Sequence, residues 1–538
     1  MGAGLPKPVC STVLERHDSE DFRVGLAELN GWRGSMEDAH VVHLSNGEGF
    51  FGILDGHGGQ MCSAWCAKHL REKLAAHGCP RNDTAAKKLV LGVDKAYLRQ
   101  GDPSGSTAAM CVVRRPASPG GKYKLHVINA GDSRVLLSRA DGTIVDGGGT
   151  DGALSTDHKP EHPMERERIE RCGGTVELAM GDVYRVNGVL SVSRGFGDAE
   201  FKKTGGPAPG DRPVTASPEM GHFECDGSDF LLLVCDGVSE GTFPNAEVCQ
   251  LAARVLAETH GDAAKAAEAV IFRALNCESK DNISCMIVLL GGAQRPTASP
   301  SGRVAAGGAP PIGCIEMGAS RWAHRDGHTW EPGMRAEFWP GSLLGCEAPQ
   351  GLGKNYLSAY IAMCERGGVS LAQAAETRYY LLAGRHGTAD AAPEDLSEMA
   401  LIHGMGLGAP LGARRKEWFE AWAQACKRNA GMGMAEVGGS GSEGGHGRGH
   451  GHGHGHGGGG GEGEGGEGEG GEGGGDDGGG GGDGGGIEQQ LRQISVPRKP
   501  LTIRTPERGP WWHRYSWRGV LQRRRTRKRL VHGLLSVA

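Results

Sequence analysis

Two apolar stretches, FFGILDGHGG at residues 50–59 and DFLLLVCDG at residues 229–237, each contain an Asp-Gly pair directly after a hydrophobic run. The runs of Phe, Ile, Leu and Val predict buried strands, and the glycine after each aspartate predicts a turn. A strand that stops on a carboxylate delivers it to the rim of a sheet. Two such strands can bring Asp55 and Asp236 together, and hard divalent cations prefer oxygen-rich sites of that kind.

Strand-length apolar runs recur between residues 22 and 291, and helical patterns separate them. The predicted strands lie at 41–44, 50–54, 107–113, 123–129, 134–138, 230–234 and 283–290. The predicted helices lie at 60–76, 84–99, 161–172, 245–258 and 262–276. This order predicts layered sheets that are flanked by helices.

Composition changes several times along the 538 residues, which predicts several segments. They are an N-terminal extension at 1–21, a globular domain at 22–293, a Pro/Gly/Ser linker at 294–311, a Trp-containing and partly helical region at 312–430, a Gly/Glu/His-rich segment at 431–486 and a basic tail at 487–538. Helical stretches in the Trp-containing region are predicted at 355–365, 370–383 and 414–428. The Gly-rich segment cannot bury enough apolar surface to fold, so we predict that it is disordered.

Several features bear on location and partners. The 15 cysteines are scattered singly, which predicts a reducing intracellular compartment, cytoplasm or nucleus. The RRRTRKR cluster at 523–529 could target the nucleus or contact nucleic acid or an anionic membrane. The Gly-His run at 449–456 is either a weak Zn²⁺ or Ni²⁺ binder or a flexible spacer. The start MGAGLPKP makes Gly2 a candidate for N-myristoylation, although position 6 is Pro rather than the preferred Ser or Thr.

Acidic residues at strand ends or beside glycines recur through the globular domain. One such Asp-Gly alone would be an ordinary turn, but six motifs carry them: GWRGSMEDAH, DGHGG, NAGDSR, SRGFGD, CDGVSE and SKDNIS. Their acidic residues are Glu37, Asp38, Asp55, Asp132, Asp198, Asp236, Glu240 and Asp281. Since Cys and His with zinc spacing are absent from these motifs, the set points to Mg²⁺ or Mn²⁺.

In order along the chain, the motifs RGSMED, DGHGG, GSTA, NAGDSR, DHKP, SRGFGD, CDG and DNIS resemble those of the metal-dependent protein phosphatases, the PPM family of type 2C. The resemblance covers residues 22–291. It implies an α+β fold, a four-layer α-β-β-α sandwich of two antiparallel sheets flanked by helices, to which this chain adds a C-terminal helical extension and a disordered Gly-rich tail. It also implies a monomeric catalytic domain.

The resemblance further implies that the chain hydrolyses phosphoserine and phosphothreonine in phosphorylated proteins by attack of a metal-bridging hydroxide. Two Mg²⁺ or Mn²⁺ ions would be held by Glu37, Asp55, the carbonyl of Gly56, Asp236 and Asp281, with Asp55 bridging both. Asp38 would hold metal-bound waters. Arg33 would bind the substrate phosphate, and His57 would protonate the leaving alkoxide.

One motif departs from the family pattern. In CDGVSE, Glu240 stands where the family often has Asp, which leaves open a third, weaker metal site at Asp132, Asp236 and Glu240. The alternative to an enzyme is a catalytically weak, phosphatase-fold binding or scaffold protein. Because Glu37, Asp55, Asp236 and Asp281 are all present, the sequence favours the active phosphatase.

Overall fold

The computed structural model describes residues 5–179, 182–239, 242–291, 315–317, 334–347, 352–386 and 393–404. Several predictions fall outside these residues: Gly2, Glu240, the linker at 294–311, the helix at 414–428, the Gly-rich segment at 431–486 and the basic tail at 487–538. Among the described helices, none has both the length and the apolar character that a membrane crossing requires.

The first sheet consists of seven antiparallel strands. They are β1 (Val9–Asp18), β2 (Phe22–Gly31), β9 (Arg134–Ser138), β14 (Phe230–Val234), β15 (Ile283–Leu290), β16 (Ile315–Met317) and β17 (Met334–Trp339). Their order across the sheet is β16-β17-β1-β2-β15-β14-β9.

The second sheet is also antiparallel and has five strands. They are β3 (Ala39–Ser45), β4 (Glu48–Leu54), β7 (Ala108–Arg114), β8 (Tyr123–Ala130) and β13 (Glu219–Cys225), in the order β13-β8-β7-β4-β3. Short strands β5 (Gly56–His57), β6 (Gly105–Ser106) and β12 (Phe196–Gly197) form a small third sheet. A separate hairpin joins β10 (Val176–Ala179) to β11 (Val183–Val186).

Helices cover the outer faces of both large sheets. The described helices are α1 (Met61–His77), α2 (Asp83–Tyr97), α3 (Pro163–Arg171), α4 (Asp236–Ser239), α5 (Asn245–Glu258), α6 (Ala263–Asn276), α7 (Leu352–Arg366), α8 (Leu371–His386) and α9 (Pro393–Gly404). Side chains of α5 and α6 pack on the first sheet, and those of α1 and α2 pack on the second. A third apolar cluster lies between the sheets. The predicted four-layer sandwich is therefore confirmed, together with the predicted elements between residues 41 and 290.

The sequence explains where several helices begin. The Asn82 side chain accepts a hydrogen bond from the Ala85 N–H at the start of α2. Asp262 does the same for Ala264 and Lys265 at the start of α6. Such caps satisfy backbone donors that have no partner inside the helix.

The first sheet also takes in residues on both sides of the predicted globular domain. Strand β1 comes from the predicted N-terminal extension and pairs with β2, and β17 from the Trp-containing region pairs with β1. Helix α7 then packs against β1. The strands named from the sequence began at residue 41, so β1 and β2 are additions that the structure makes.

Candidate metal centre

The predicted carboxylates lie where strands of the two large sheets begin or end. Asp55 follows β4, Asp236 follows β14 by two residues, and Asp281 precedes β15 by two residues. Asp38 lies directly before β3. Oxygen atoms of Asp38 and Asp55 and the sulfur of Cys235 all lie within 4.8 Å of one another. The two carboxylates adjoin strands of the second sheet, and Cys235, which directly precedes Asp236, follows a strand of the first sheet.

Asp38 and Cys235 differ in what they offer a cation. The Ser284 hydroxyl donates a hydrogen bond of 2.6 Å to Asp38 Oδ2, whereas Oδ1 is buried and makes no hydrogen bond. The Cys235 thiol contacts the Asn282 carbonyl, with 3.5 Å from sulfur to oxygen. Burial raises the pKa of Cys235 well above its usual range, so the thiol is neutral and the carboxylate is the better ligand.

Hydrogen bonds fix Glu37 at the rim of this cluster. Its carboxylate accepts from the Ser35 hydroxyl at 2.7 Å and from the Gly59 N–H at 3.1 Å. Its backbone N–H donates to Asn282 Oδ1 at 2.9 Å. Glycine is required at position 56, because a Cβ there would lie 2.3 Å from the Glu37 carbonyl oxygen.

The clustered carboxyl groups favour the binding of a cation. Burial, and then the charge of Asp236, raise the pKa of Asp281 to about 8 and that of Asp55 well above its usual range. Burial likewise raises the pKa of Asp38 to about 6. Packed carboxylates in a dry site repel one another, and a bound divalent cation removes that repulsion. Together with the unpartnered Asp38 Oδ1, this makes the donor set chemically suited to Mg²⁺ or Mn²⁺.

Arg33 borders the carboxylates from the solvent side. Its Nη2 donates a hydrogen bond to Asp281 Oδ2, and its side chain is 51% exposed. Asp281 Oδ1 accepts from the backbone N–H of Asn282 at 2.7 Å. The guanidinium therefore lies where an incoming anion would meet the cluster.

His57 is held by Asp198, which the sequence placed among the candidate acidic residues but did not pair with His57. Its Nε2 lies 2.8 Å and 3.0 Å from the two carboxylate oxygens of Asp198. Burial alone would lower the pKa of His57, but the charge and hydrogen bonds of Asp198 more than offset this, and the pKa is raised. The two side chains pack against Gly105, where a Cβ would lie 2.3 Å from both His57 Nε2 and Asp198 Oδ1. Any larger residue at position 105 would therefore displace them.

Asp132 is also buried beside the cluster, and its partner comes from the DHKP motif. The Lys159 ammonium donates a hydrogen bond to Asp132 Oδ2. Burial alone would lower the pKa of Lys159, but Asp132 and Asp236 raise it. A positive charge therefore already compensates Asp132.

Comparison with known proteins agrees with this geometry. The family model described as "Protein phosphatase 2C" matches residues 22–283. "Probable protein phosphatase 2C 58" of Oryza sativa subsp. japonica is 32% identical over 294 residues, which cover 44% of this chain and 74% of that protein. "Protein phosphatase 1A" of Homo sapiens is 32% identical over 327 residues, or 56% of this chain and 78% of that protein. This chain belongs to the protein phosphatase 2C family.

A solved structure is also similar. The crystal structure of a phosphatase from a pathogenic strain of Toxoplasma gondii has 30% sequence identity and a TM-score of 0.48. The match covers 52% of this chain and 95% of that one.

Membership in the protein phosphatase 2C family confirms the resemblance seen in the motifs and the predicted enzyme class. The chain is a protein serine/threonine phosphatase, and its substrates are phosphorylated proteins. The family is metal-dependent, which agrees with a cluster of buried carboxylates that repel one another.

The sequence did not predict the partners of three supporting residues, Asp198, Lys159 and Ser284. Asp198 and Lys159 each lie in a motif that the sequence did single out, SRGFGD and DHKP, and these motifs were the available signal. Ser284, which donates to Asp38, lies in DNIS. Their partners are distant in the chain, so only the fold reveals the pairs. Of the predicted third metal site, Glu240 lies outside the described residues.

Proposed function

We propose that this phosphatase hydrolyses phosphoserine and phosphothreonine with two Mg²⁺ or Mn²⁺ ions. Glu37, Asp55 and the carbonyl of Gly56 would hold one ion, and Asp55, Asp236 and Asp281 would hold the other. The observation that carries the proposal is the gathering of carboxylates at one place, where ligand atoms of Asp38, Asp55 and Cys235 lie within 4.8 Å of one another. Burial, and then the charge of Asp236, raise the pKa of both Asp55 and Asp281 there. When bound, two such ions lower the pKa of a shared water and so make a hydroxide nucleophile available near neutral pH.

Arg33 would position the substrate. Its side chain is half exposed beside Asp281, and a planar guanidinium can donate two parallel hydrogen bonds to a phosphate. Holding the phosphate by two oxygens would fix the direction from which phosphorus can be attacked.

His57 would act as the general acid. Because Nε2 is engaged by Asp198, Nδ1 is the nitrogen that would pass a proton to the departing serine or threonine oxygen. The raised pKa of His57 keeps a larger fraction of the ring protonated near neutral pH, which an acid for a poor leaving group requires.

Asp38 would support the ions rather than the phosphate. Its buried Oδ1 makes no hydrogen bond and is suited to a water of a cation's shell. A third ion at Asp132, Asp236 and Glu240 would compete with the Lys159 ammonium that already contacts Asp132. We therefore propose that two ions suffice for the reaction.

The proposal is tested by hydrolysis of a phosphothreonine peptide with Mn²⁺ or with EDTA, using the wild type and Asp55→Asn. The wild type should hydrolyse the peptide only with Mn²⁺. Asp55→Asn should lose at least ~100-fold in rate, because it removes the bridging charge. Asp141→Asn, which changes an exposed turn carboxylate, should keep full activity.

Equal hydrolysis by the wild type in Mn²⁺ and EDTA would contradict the metal-dependent mechanism. An inactive wild type that still binds phosphopeptide in Mn²⁺ would instead favour the scaffold alternative.

A further inference from the structure

A second group of metal-binding residue types lies away from the carboxylate cluster. His126 on β8 and His222 on β13 are direct cross-strand partners, and their rings stack at 4.5 Å between centroids. Asp83 is the first residue of α2, which packs over the same outer face of the second sheet. Three separate elements therefore bring one carboxylate and two imidazoles together.

The ligand atoms of this group converge on one point. Asp83 Oδ1 lies 3.1 Å from His126 Nε2 and 2.7 Å from His222 Nε2. Ligands of a tetrahedral zinc ion, with bonds of about 2.0–2.2 Å, lie roughly 3.3 Å from one another. Since the side chains of Asp83 and His222 are 55% and 61% exposed, small rotations can open the group by the few tenths of an ångström that an ion needs.

The ring nitrogens of His126 are buried and lack hydrogen-bond partners, which a cation could replace at one of them. Its side chain is only 3% exposed, and neither ring nitrogen makes a hydrogen bond of good geometry, despite the close approach of Nε2 to Asp83. Buried polar atoms are rarely left without a partner. A cation bound at a ring nitrogen of His126 would supply the missing partner.

We propose that Asp83, His126 and His222 form a second metal site, which binds one Zn²⁺ ion with water in the remaining position. Two imidazoles and one carboxylate suit zinc and its neighbours in the first transition row, whereas Mg²⁺ prefers oxygen ligands alone. His126 lies four residues before Ala130, where β8 ends, about 13 Å at the rise of a strand, and Asp132 follows beyond that end. The ion would therefore be separate from the catalytic carboxylates and would tie the start of α2 to β8 and β13.

The test compares zinc binding by full-length wild type and His222→Asn in saturating Mg²⁺, which occupies the carboxylate cluster. Bound zinc is counted after equilibrium dialysis, and the shift in Tm on adding Zn²⁺ is measured. We expect His222→Asn to bind one fewer Zn²⁺ per chain and to lose the zinc-induced rise in Tm, because an ion that binds only the folded state stabilises it. Phosphatase activity in Mg²⁺ should be unchanged.

Two further variants make the result specific. His77→Asn alters an exposed histidine at the end of α1 and should bind as much zinc as the wild type. Asp83→Asn should weaken zinc binding by about 10-fold or more, since an amide is a poorer ligand than a carboxylate. Both His222→Asn and Asp83→Asn also remove the hydrogen bond between these two side chains, which lowers Tm equally with and without zinc. The quantity compared between proteins is therefore the change in Tm on adding Zn²⁺.

The Gly-His run at 449–456 is the same in every variant, so any zinc that it binds cancels in the comparison. Equal zinc content and an equal Tm shift in wild type and His222→Asn would overturn the proposal. Zinc would then bind elsewhere in the chain.

Discussion

Asp198 shapes the chemistry of His57 from 141 residues away in the chain. The carboxylate is almost fully buried, and its backbone has a φ of 53°, in the left-handed region that few residues other than glycine adopt. Such backbone conformations persist where the surrounding structure fixes them, and they cluster at functional sites. We interpret Asp198 as a positioning residue that sets both the orientation and the protonation of the proposed acid.

The variant Asp198→Asn tests this role. Loss of the negative charge should lower the pKa of His57, so the proposed acid loses its proton at a lower pH. The alkaline fall in kcat for a phosphothreonine peptide should move to lower pH, with a drop of about 10-fold above neutrality and a smaller drop near pH 6. The measurement is the pH profile of kcat in Mn²⁺.

A double variant supplies the control. In a His57→Asn background, Asp198→Asn should change the pH profile little further, because its effect passes through the imidazole. A simple loss of rate that is equal at every pH would show that Asp198 serves only the packing of the domain.

At the scale of elements, α7 is joined to the first sheet through buried charges. Arg366 donates two hydrogen bonds of 2.6 Å to Glu28 on β2. His40, just inside β3, lies 3.0 Å from Glu28 and 3.2 Å from Glu15 on β1. Burial alone would lower the pKa of His40, but the two glutamates raise it to about 9. Each buried charge therefore has an opposite partner on another element.

Removing one partner should be costly for stability. Arg366→Met leaves Glu28 buried without its strongest counter-charge, and we expect the free energy of unfolding to fall by about 3 kcal/mol. Adding Glu28→Gln should recover at least half of that loss, because no uncompensated carboxylate then remains. Urea unfolding of the two variants and the wild type measures both effects.

Arg335→Met is the matched control, since Arg335 also reaches β1 but its bridge to Asp18 is exposed, at 62% and 45% of the two side chains. We expect Arg335→Met to lower the free energy of unfolding by less than about 1 kcal/mol. Similar losses for the Arg366 and Arg335 variants would contradict the importance of burial.

The same elements show what the sequence could and could not predict. Strands such as β4 and β14 are nearly continuous apolar runs that end in Asp-Gly, and their pattern was decisive. Strand β1, VCSTVLERHD, was not predicted, because Glu15 and His17 interrupt its apolar pattern although both are buried. The two side chains lie 3.1 Å apart on β1 itself, but Glu15 also lies 3.2 Å from His40 on β3, and the sequence alone does not reveal that partner.

At the scale of the whole molecule, the local motifs named both Asp38 and Asp55 as candidate residues, and the fold brings their carboxylates together. They could not anticipate pairs such as His57 with Asp198 or Asp132 with Lys159, because each pair depends on how distant loops meet. The proposed second metal site was missed for the same reason. Its three residues lie in no motif and become neighbours only when β8, β13 and α2 are assembled.

The central claim is that the buried carboxylates hold divalent cations, and the most direct test counts them. Mn²⁺ bound per chain is measured by equilibrium dialysis for the wild type, Asp55→Asn and Asp141→Asn, each also checked for folding by Tm. We predict two tightly bound ions in the wild type and in Asp141→Asn, and at least one fewer in Asp55→Asn, because Asp55 is proposed to bridge both. Equal Mn²⁺ content in folded wild type and Asp55→Asn would contradict the account.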